Sequence, residues 1–272
     1  MAIDEAILEA VGKELAPPTL RLYAWQPACL SLGYAQSIQD VDLIALSDSG
    51  WQLVRRPTGG RAILHVDELT YAVIAPHNEP RVQGTLLESY QRLAQALLKA
   101  LQLLGIPAET HQIQLPSGTQ SNSPDNNSTT SQNTSHADIN PICFEVPSNY
   151  EIVVAGKKII GSAQARRKEG VLQHGSLPLY GDITRISKVL CFPDETHRQR
   201  AADRIRQRAT TAQLASGRII DWDEASRAFI RAFEDALQVR LVHTDLSGSE
   251  LMRADELVQE KYSTLQWNYH IP

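Results

Sequence analysis

Apolar positions divide the chain into short alternating segments and a few long helical ones. Residues 3 to 11 carry Ile3, Ala6, Ile7, Ala10 and Val11 at helical spacing, with the acids predicted on the opposite face. Pro17-Pro18 stops this helix. Thr19 to Trp25 alternates as a strand, and Ala28 to Leu32 continues toward a turn at Gly33-Tyr34. Asp40-Val41-Asp42 opens a short helix that Gly50 closes. Trp51 to Arg56, Ala62 to His65 and Leu69 to Ile74 read as strands. Thr85 to Leu104 is the clearest helix, with a Thr85/Glu88 capping box. Its stripe of Leu86, Tyr90, Leu93, Leu97, Leu101 and Leu104 is assigned to the core and not to a binding groove.

Residues 116–137 are rich in Ser, Thr, Asn and Gln and predict a disordered surface loop. Beyond it the alternation returns. Cys143 precedes a strand from Tyr150 to Val154, a turn at Ala155-Gly156, a second strand starting near Lys158, and a third, short one near Gly170. Asp182 to Leu190 and Pro193 to Arg208 read as short helices, with Thr210 to Ala215 as a link. Asp221 to Leu237 is amphipathic with Trp222, Phe229 and Phe233 inward, and Glu250 to Tyr262 is the last helix. We divide the chain into a catalytic domain, 1–247, and a C-terminal helix and tail, 248–272, packed on it.

Composition narrows the function classes. A charge of −5 over 272 residues, with no long Lys/Arg block, argues against nucleic acid. The densest basic run, Arg198 to Arg208, alternates with Ala, Asp, Ile and Gln and reads as a solvated helix face. The first ten residues carry Asp4, Glu5 and Glu9 without a basic n-region, which is not a signal peptide, and no apolar run reaches transmembrane length. The expectation is a soluble protein of the reducing cytoplasm. Cys29, Cys143 and Cys191 are too few and too scattered for a disulfide framework or a zinc cluster, and no metal is expected. The glycine motifs of nucleotide sites are missing.

The chemistry concentrates around the hairpin. A thiol before it and a lysine after its turn can meet in space, and an ammonium lowers a thiol's pKa. Strand alternation puts Lys158, Ile160 and Ser162 on one face and leaves Lys157 in the turn. The plain alternative is a small buried Cys143 and an ordinary strand-edge lysine; Cys29 and Cys191 receive that plain reading outright. Gly59-Gly60, between strands and flanked by Arg55, Arg56 and Arg61, lets backbone approach a ligand, or is simply a glycine hairpin with surface arginines. His65 and His174 each follow a strand and could line a cleft.

These residues resemble a family. Arg55 to His65, Cys143 to Tyr150, Gly156 to Gln164 and Gln173 to Ser176 are similar, in this order, to the lipoate–protein ligase and octanoyltransferase superfamily, most of all to its cysteine-dependent, ligase-like octanoyltransferases. The resemblance implies an α/β (α+β) fold, a mixed, largely antiparallel sheet flanked by helices, of the class II synthetase and biotin–lipoate protein ligase type. It places an acyl-thioester nucleophile on Cys143 and its pKa-lowering lysine on Lys158. It puts Arg55, Arg56, Gly59, Gly60 and His65, with Gly161, Ser162, Ala163, His174 and Gly175, around the acyl group. Octanoyl-acyl carrier protein is the implied donor, a lysine of a lipoyl domain or glycine cleavage H protein the acceptor, and no cofactor is implied. Val66 stands where many relatives carry an acid directly after the histidine, so that role passes to Asp67 or is lost. Arg61, where ATP-dependent ligases tend to carry a third glycine, and the cysteine favour a transferase over a ligase. An amidotransferase between protein lysines and a non-catalytic binding module are the other readings.

Overall fold

The computed structural model describes residues 1–111 and 151–269. The 116–137 insertion and Cys143 lie outside the described residues. Among the described residues, nine strands form two sheets. The larger has the order β1 (Thr19–Tyr23), β5 (Glu68–Ala75), β9 (Gly170–Pro178), β8 (Lys157–Arg167), β7 (Glu151–Val154), β6 (Glu109–His111), every neighbouring pair antiparallel. The smaller places β2 (Cys29–Leu32) between β3 (Gln52–Arg55), parallel, and β4 (Ile63–His65), antiparallel. This is the expected mixed, largely antiparallel arrangement flanked by helices.

The period of two decides which helices cover which face. Tyr71, Leu177 and Ile160 point to one side, where α3 (Leu86–Leu103) and α6 (Trp222–Leu237) pack with Leu93, Leu97, Leu101, Phe229 and Phe233. Ala72, Ile74 and Leu172 point to the other, against Ile7, Leu8 and Val11 of α1 (Ala2–Gly12). Each fully buried Leu or Phe contributes on the order of 2 kcal/mol relative to an exposed one. The Thr85/Glu88 capping box opens α3 as predicted, but Leu86 in its first turn is exposed. The stripe turns inward from Leu93 onward.

Four elements differ from their sequence prediction. The acids of α1 do not face solvent. Asp4 is buried and accepts from Arg21 Nη1 (2.7 Å) and Tyr23 Oη (3.1 Å), while Glu5 bonds Lys261 and Glu9 bonds Arg253. Burial alone would raise the Asp4 carboxyl, but nearby positive charge, with Arg21 contributing, holds it below the ordinary carboxylate range. The Thr210–Ala215 link is instead a helix, α5 (Ala212–Ser216), capped by Thr211 and sealed by buried Ala212. The last helix is α7 (Gly248–Leu257), which passes through a π-helical turn at Val258–Tyr262 and a break into α8 (Leu265–Asn268). Before α3 comes α2 (Leu43–Asp48), and between α3 and this end lie a 3-10 segment at Ile183–Val189 and α4 (Glu195–Arg208). Strand β9 runs nine residues and is not short.

Candidate active site

The β7–β8 hairpin places the lysine. Ala155 and Gly156 both hold positive φ (48° and 75°), closing the turn so that Val154 pairs with Lys157 and Val153 with Lys158. Lys157 is exposed and donates to the Arg206 carbonyl (2.8 Å). Lys158 is buried, and its Nζ is 3.0 Å from Glu151 Oε1, itself largely covered. It lines a cleft with Ile152, Ile160 and Ser162 of the sheet and Tyr90, Ala94 and Leu97 of α3. The α3 stripe therefore serves as core and also as one wall of this cleft, a correction to its assignment as core alone.

On its far side, Ser162 also borders a second pocket, between the two sheets. Here β8 brings Gly161, Ser162 and Ala163, and β9 brings His174 and Gly175. The smaller sheet brings Arg56, Gly59, Gly60 and His65. Backbone proximity makes the loop possible: a Cβ on Gly33 would lie 1.8 Å from the Gly60 carbonyl oxygen. Gly60 itself has φ +96°, in the region glycine alone enters cheaply.

Arg55, the last residue of β3, and Arg56, the next, part company. Arg56 Nη2 donates to the carbonyls of Gly59 (2.9 Å) and Arg61 (2.8 Å), and Nη1 to Ser31 Oγ (3.1 Å), so the glycine loop is wrapped around its guanidinium. Arg55 does not line either pocket. Its side chain, 0 % exposed, donates to the carbonyls of Gly33, Tyr34, Gln36, Trp267 and Asn268, which ties the C-terminal α8 to the loop after β2. Of the sequence-predicted binding residues in the described chain, it alone stands apart.

His65 is the centre of a buried polar chain. Its Nδ1 is 2.7 Å from Glu68 Oε1 and its Nε2 is 2.8 Å from Ser31 Oγ. Thr70 Oγ1 donates to the same Glu68 oxygen and accepts from Trp25 Nε1 (2.9 Å), whose ring stacks on the imidazole. The acid partner of His65 is thus Glu68. Asp67, the sequence candidate, has φ +51° and turns away to Arg185 (2.7 Å). The signal for Glu68 was present, since the chain reverses between β4 and β5 and brings position i+3 back against the histidine.

His174 is of another kind. Its Nε2 is 2.7 Å from Thr58 Oγ1, and burial, helped by Arg56 and opposed by Asp4, pushes its pKa down to about 3. It is a neutral ring at physiological pH. Beside it the buried Ser176 hydroxyl borders the pocket, with no hydrogen-bond partner among the described residues. Cys29 is the inert thiol expected, buried, with its pKa pushed up to about 12 first of all by that burial, whereas Cys191, given the same reading, is exposed. Among the described residues no cluster could hold a metal ion and no helix is long and apolar enough to cross a membrane.

This geometry has counterparts. Residues 1–234 match the family described as "Lipoyl protein ligase A/B catalytic domain". Octanoyltransferase LipM of Brevibacillus brevis is 40% identical over 272 residues, covering 98% of this chain and 93% of that protein. LipM of Symbiobacterium thermophilum is 39% identical, with 98% and 92% covered. Among solved structures, the bi-partite lipoate protein ligase of Thermoplasma acidophilum superposes with a TM-score of 0.74 at 25% identity, covering 100% of this chain and 92% of that one. A lipoate-protein ligase A bound with ATP also gives 0.74 at 25% identity, with 100% and 93% covered.

Proposed function

The chain belongs to the lipoyl protein ligase A/B catalytic domain family, and from that premise we propose that it is an octanoyltransferase of lipoate biosynthesis working through a cysteine thioester. The donor is octanoyl-acyl carrier protein, and the acceptor is a lysine of a lipoyl domain or glycine cleavage H protein. The Cys143 thiolate, favoured by the Lys158 ammonium, attacks the donor carbonyl carbon. A C–S bond forms, the carbonyl oxygen becomes an oxyanion, and collapse expels the carrier thiolate. The acceptor ε-amine then attacks the Cys143 thioester. A C–N bond forms, the Cys143 thiolate leaves and the nitrogen loses its proton. Thioester to amide is downhill, so no ATP enters. The reaction takes place in the cytoplasm, where both carriers would be met.

Arg56, Gly59, Gly60, His65, Gly161, Ser162, Ala163, His174 and Gly175 form the acyl pocket in this reading. Arg55 holds the C-terminal helix and acts on the pocket only through the loop. The observation that carries the reading is the 40% identity to a curated octanoyltransferase over 98% of this chain. The structural likeness to a lipoate ligase bound with ATP favours the second reading, an ATP-dependent ligase.

Intact mass separates the two. Incubation with octanoyl-acyl carrier protein and no ATP should add one octanoyl group, mapped to Cys143 and released by hydroxylamine. No adduct, together with ATP-dependent lipoylation by both the native protein and Cys143→Ala, would establish the ligase instead.

A further inference from the structure

Tyr71, Gly175 and Ser162 are neighbours across three strands, β5, β9 and β8. A Cβ on Gly175 would lie 2.7 Å from Ser162 Oγ and 2.8 Å from the Tyr71 ring. The missing side chain lets the Tyr71 hydroxyl cross the central strand and reach Ser162 Oγ at 2.7 Å.

The direction of that hydrogen bond can be worked out from the sheet's outer end. Arg166 Nε, which can only donate, meets Gln164 Oε1 (3.1 Å), so the other end of that amide is its NH2. The two hydrogens of Gln164 Nε2 go to Ser89 Oγ (2.7 Å) and Gln173 Oε1 (2.9 Å). Gln173 is oriented in turn, and its Nε2 donates to Tyr71 Oη (3.1 Å). Among the described residues Ser162 Oγ is the acceptor in reach of Tyr71's own proton, and giving it there leaves no buried phenol proton unpaired. The Ser162 hydroxyl makes no other hydrogen bond among the described residues. Its proton is left to point into the space it borders, between the Lys158 cleft and the glycine-loop pocket.

We infer that Ser162 is a hydrogen-bond donor to the acyl carbonyl oxygen, and that Arg166, Gln164, Gln173 and Tyr71 are positioning residues that set its polarity. This rests on the acyl-transfer reading above. A hydroxyl that accepts from Tyr71 keeps its own proton free for the carbonyl oxygen. It meets a developing oxyanion as a donor already oriented, with little reorganisation.

Two measurements test it. Ser162→Ala should lower kcat for octanoyl transfer by about 10²-fold, the usual effect of removing one oxyanion donor, with little change in KM, and Ser162→Thr should restore most of it. Tyr71→Phe should fall in the same direction. If it does not fold, because Gln173 Nε2 then has no acceptor, Arg166→Met at the partly exposed end of the chain takes its place and should lower kcat severalfold. Full kcat in Ser162→Ala, or equal loss in Ser162→Thr, overturns the inference.

The second measurement does not need turnover. The carbonyl band of [1-13C]octanoyl-N-acetylcysteamine bound to Cys143→Ala should move to higher frequency when Ser162→Ala is added. An unmoved band, or a thioester that does not bind, overturns the inference whatever the kinetics. A moved band in a protein that shows no ATP-free transfer upholds the Ser162 assignment and removes the transferase reading.

Discussion

Ser162 and Gly175 stand on a six-stranded sheet whose helix-side face is packed by Leu97, Leu101, Phe229 and Phe233, and the polar groups crossing it are mostly amides and hydroxyls. Arg56 and His65 stand on a three-stranded sheet where the glycine loop and the imidazole are held by a guanidinium, a carboxylate and the carbonyls around them. One wall of the site is thus set by apolar packing with neutral hydrogen bonds, the other by buried charge. Apolar packing fails in proportion to the volume removed. A buried ionic network fails when one partner leaves and the other is stranded. The two walls should therefore break differently.

The largest effect is expected on the charged side. Arg55→Ala strands the carbonyls of Gly33, Tyr34, Gln36, Trp267 and Asn268 and should cost about 4 kcal/mol in urea unfolding, since each bond to a charged donor contributes roughly 1.5–3 kcal/mol and they do not add. A loss under 1 kcal/mol would mean water replaces the guanidinium and the contrast is false. On the apolar wall, Leu97→Ala should cost about 3 kcal/mol and also widen the Lys158 cleft. If its KM for an octanoyl donor matches the native protein's, that cleft takes no acyl group.

His174 reads the place where the walls meet, because it stands on β9 and bonds Thr58 of the loop. Its folded pKa of about 3 lies below its unfolded 6.5. Below pH 6.5 the unfolded chain takes up a proton that the folded ring refuses. The neutral ring's contribution is therefore whole above pH 6.5 and declines as pH falls toward 3, by up to about 1.4 kcal/mol per unit. Between pH 7 and 5 the native protein should lose about 2 kcal/mol that His174→Asn does not. Parallel pH profiles for the two proteins would show the ring to be wet. The smallest effect belongs to a helix cap that borders neither pocket. Asp42, whose Oδ1 accepts from Ala45 N (2.9 Å), caps α2, and Asp42→Ala should cost about 1 kcal/mol with transfer unchanged. A change in kcat there would mean that the smaller sheet responds as a unit.

The sequence by itself determined what depends on near neighbours. The Thr85/Glu88 box, the Ala155-Gly156 turn and the opposite facing of buried Lys158 and exposed Lys157 follow from near spacings, which backbone geometry converts directly into capping, reversal and facing. The motifs that carry the family likeness were legible for the same reason, as each is a run of adjacent residues. Tertiary structure decided what depends on separation through space. Asp67 and Glu68 are equally acidic beside His65, and only the positive φ at Asp67 sends one to Arg185 and the other to the imidazole. Arg55 and Arg56 are adjacent and identical, yet Arg56 faces the pocket while Arg55 joins the carbonyls of Gly33, Tyr34 and Gln36 to those of Trp267 and Asn268, more than two hundred positions away. The Tyr71–Ser162 contact spans 91 positions and needs Gly175 between them. A pattern along one strand states which side a residue takes. What it meets there is supplied by other strands, and hydrogen bonds and pKa values follow from that meeting.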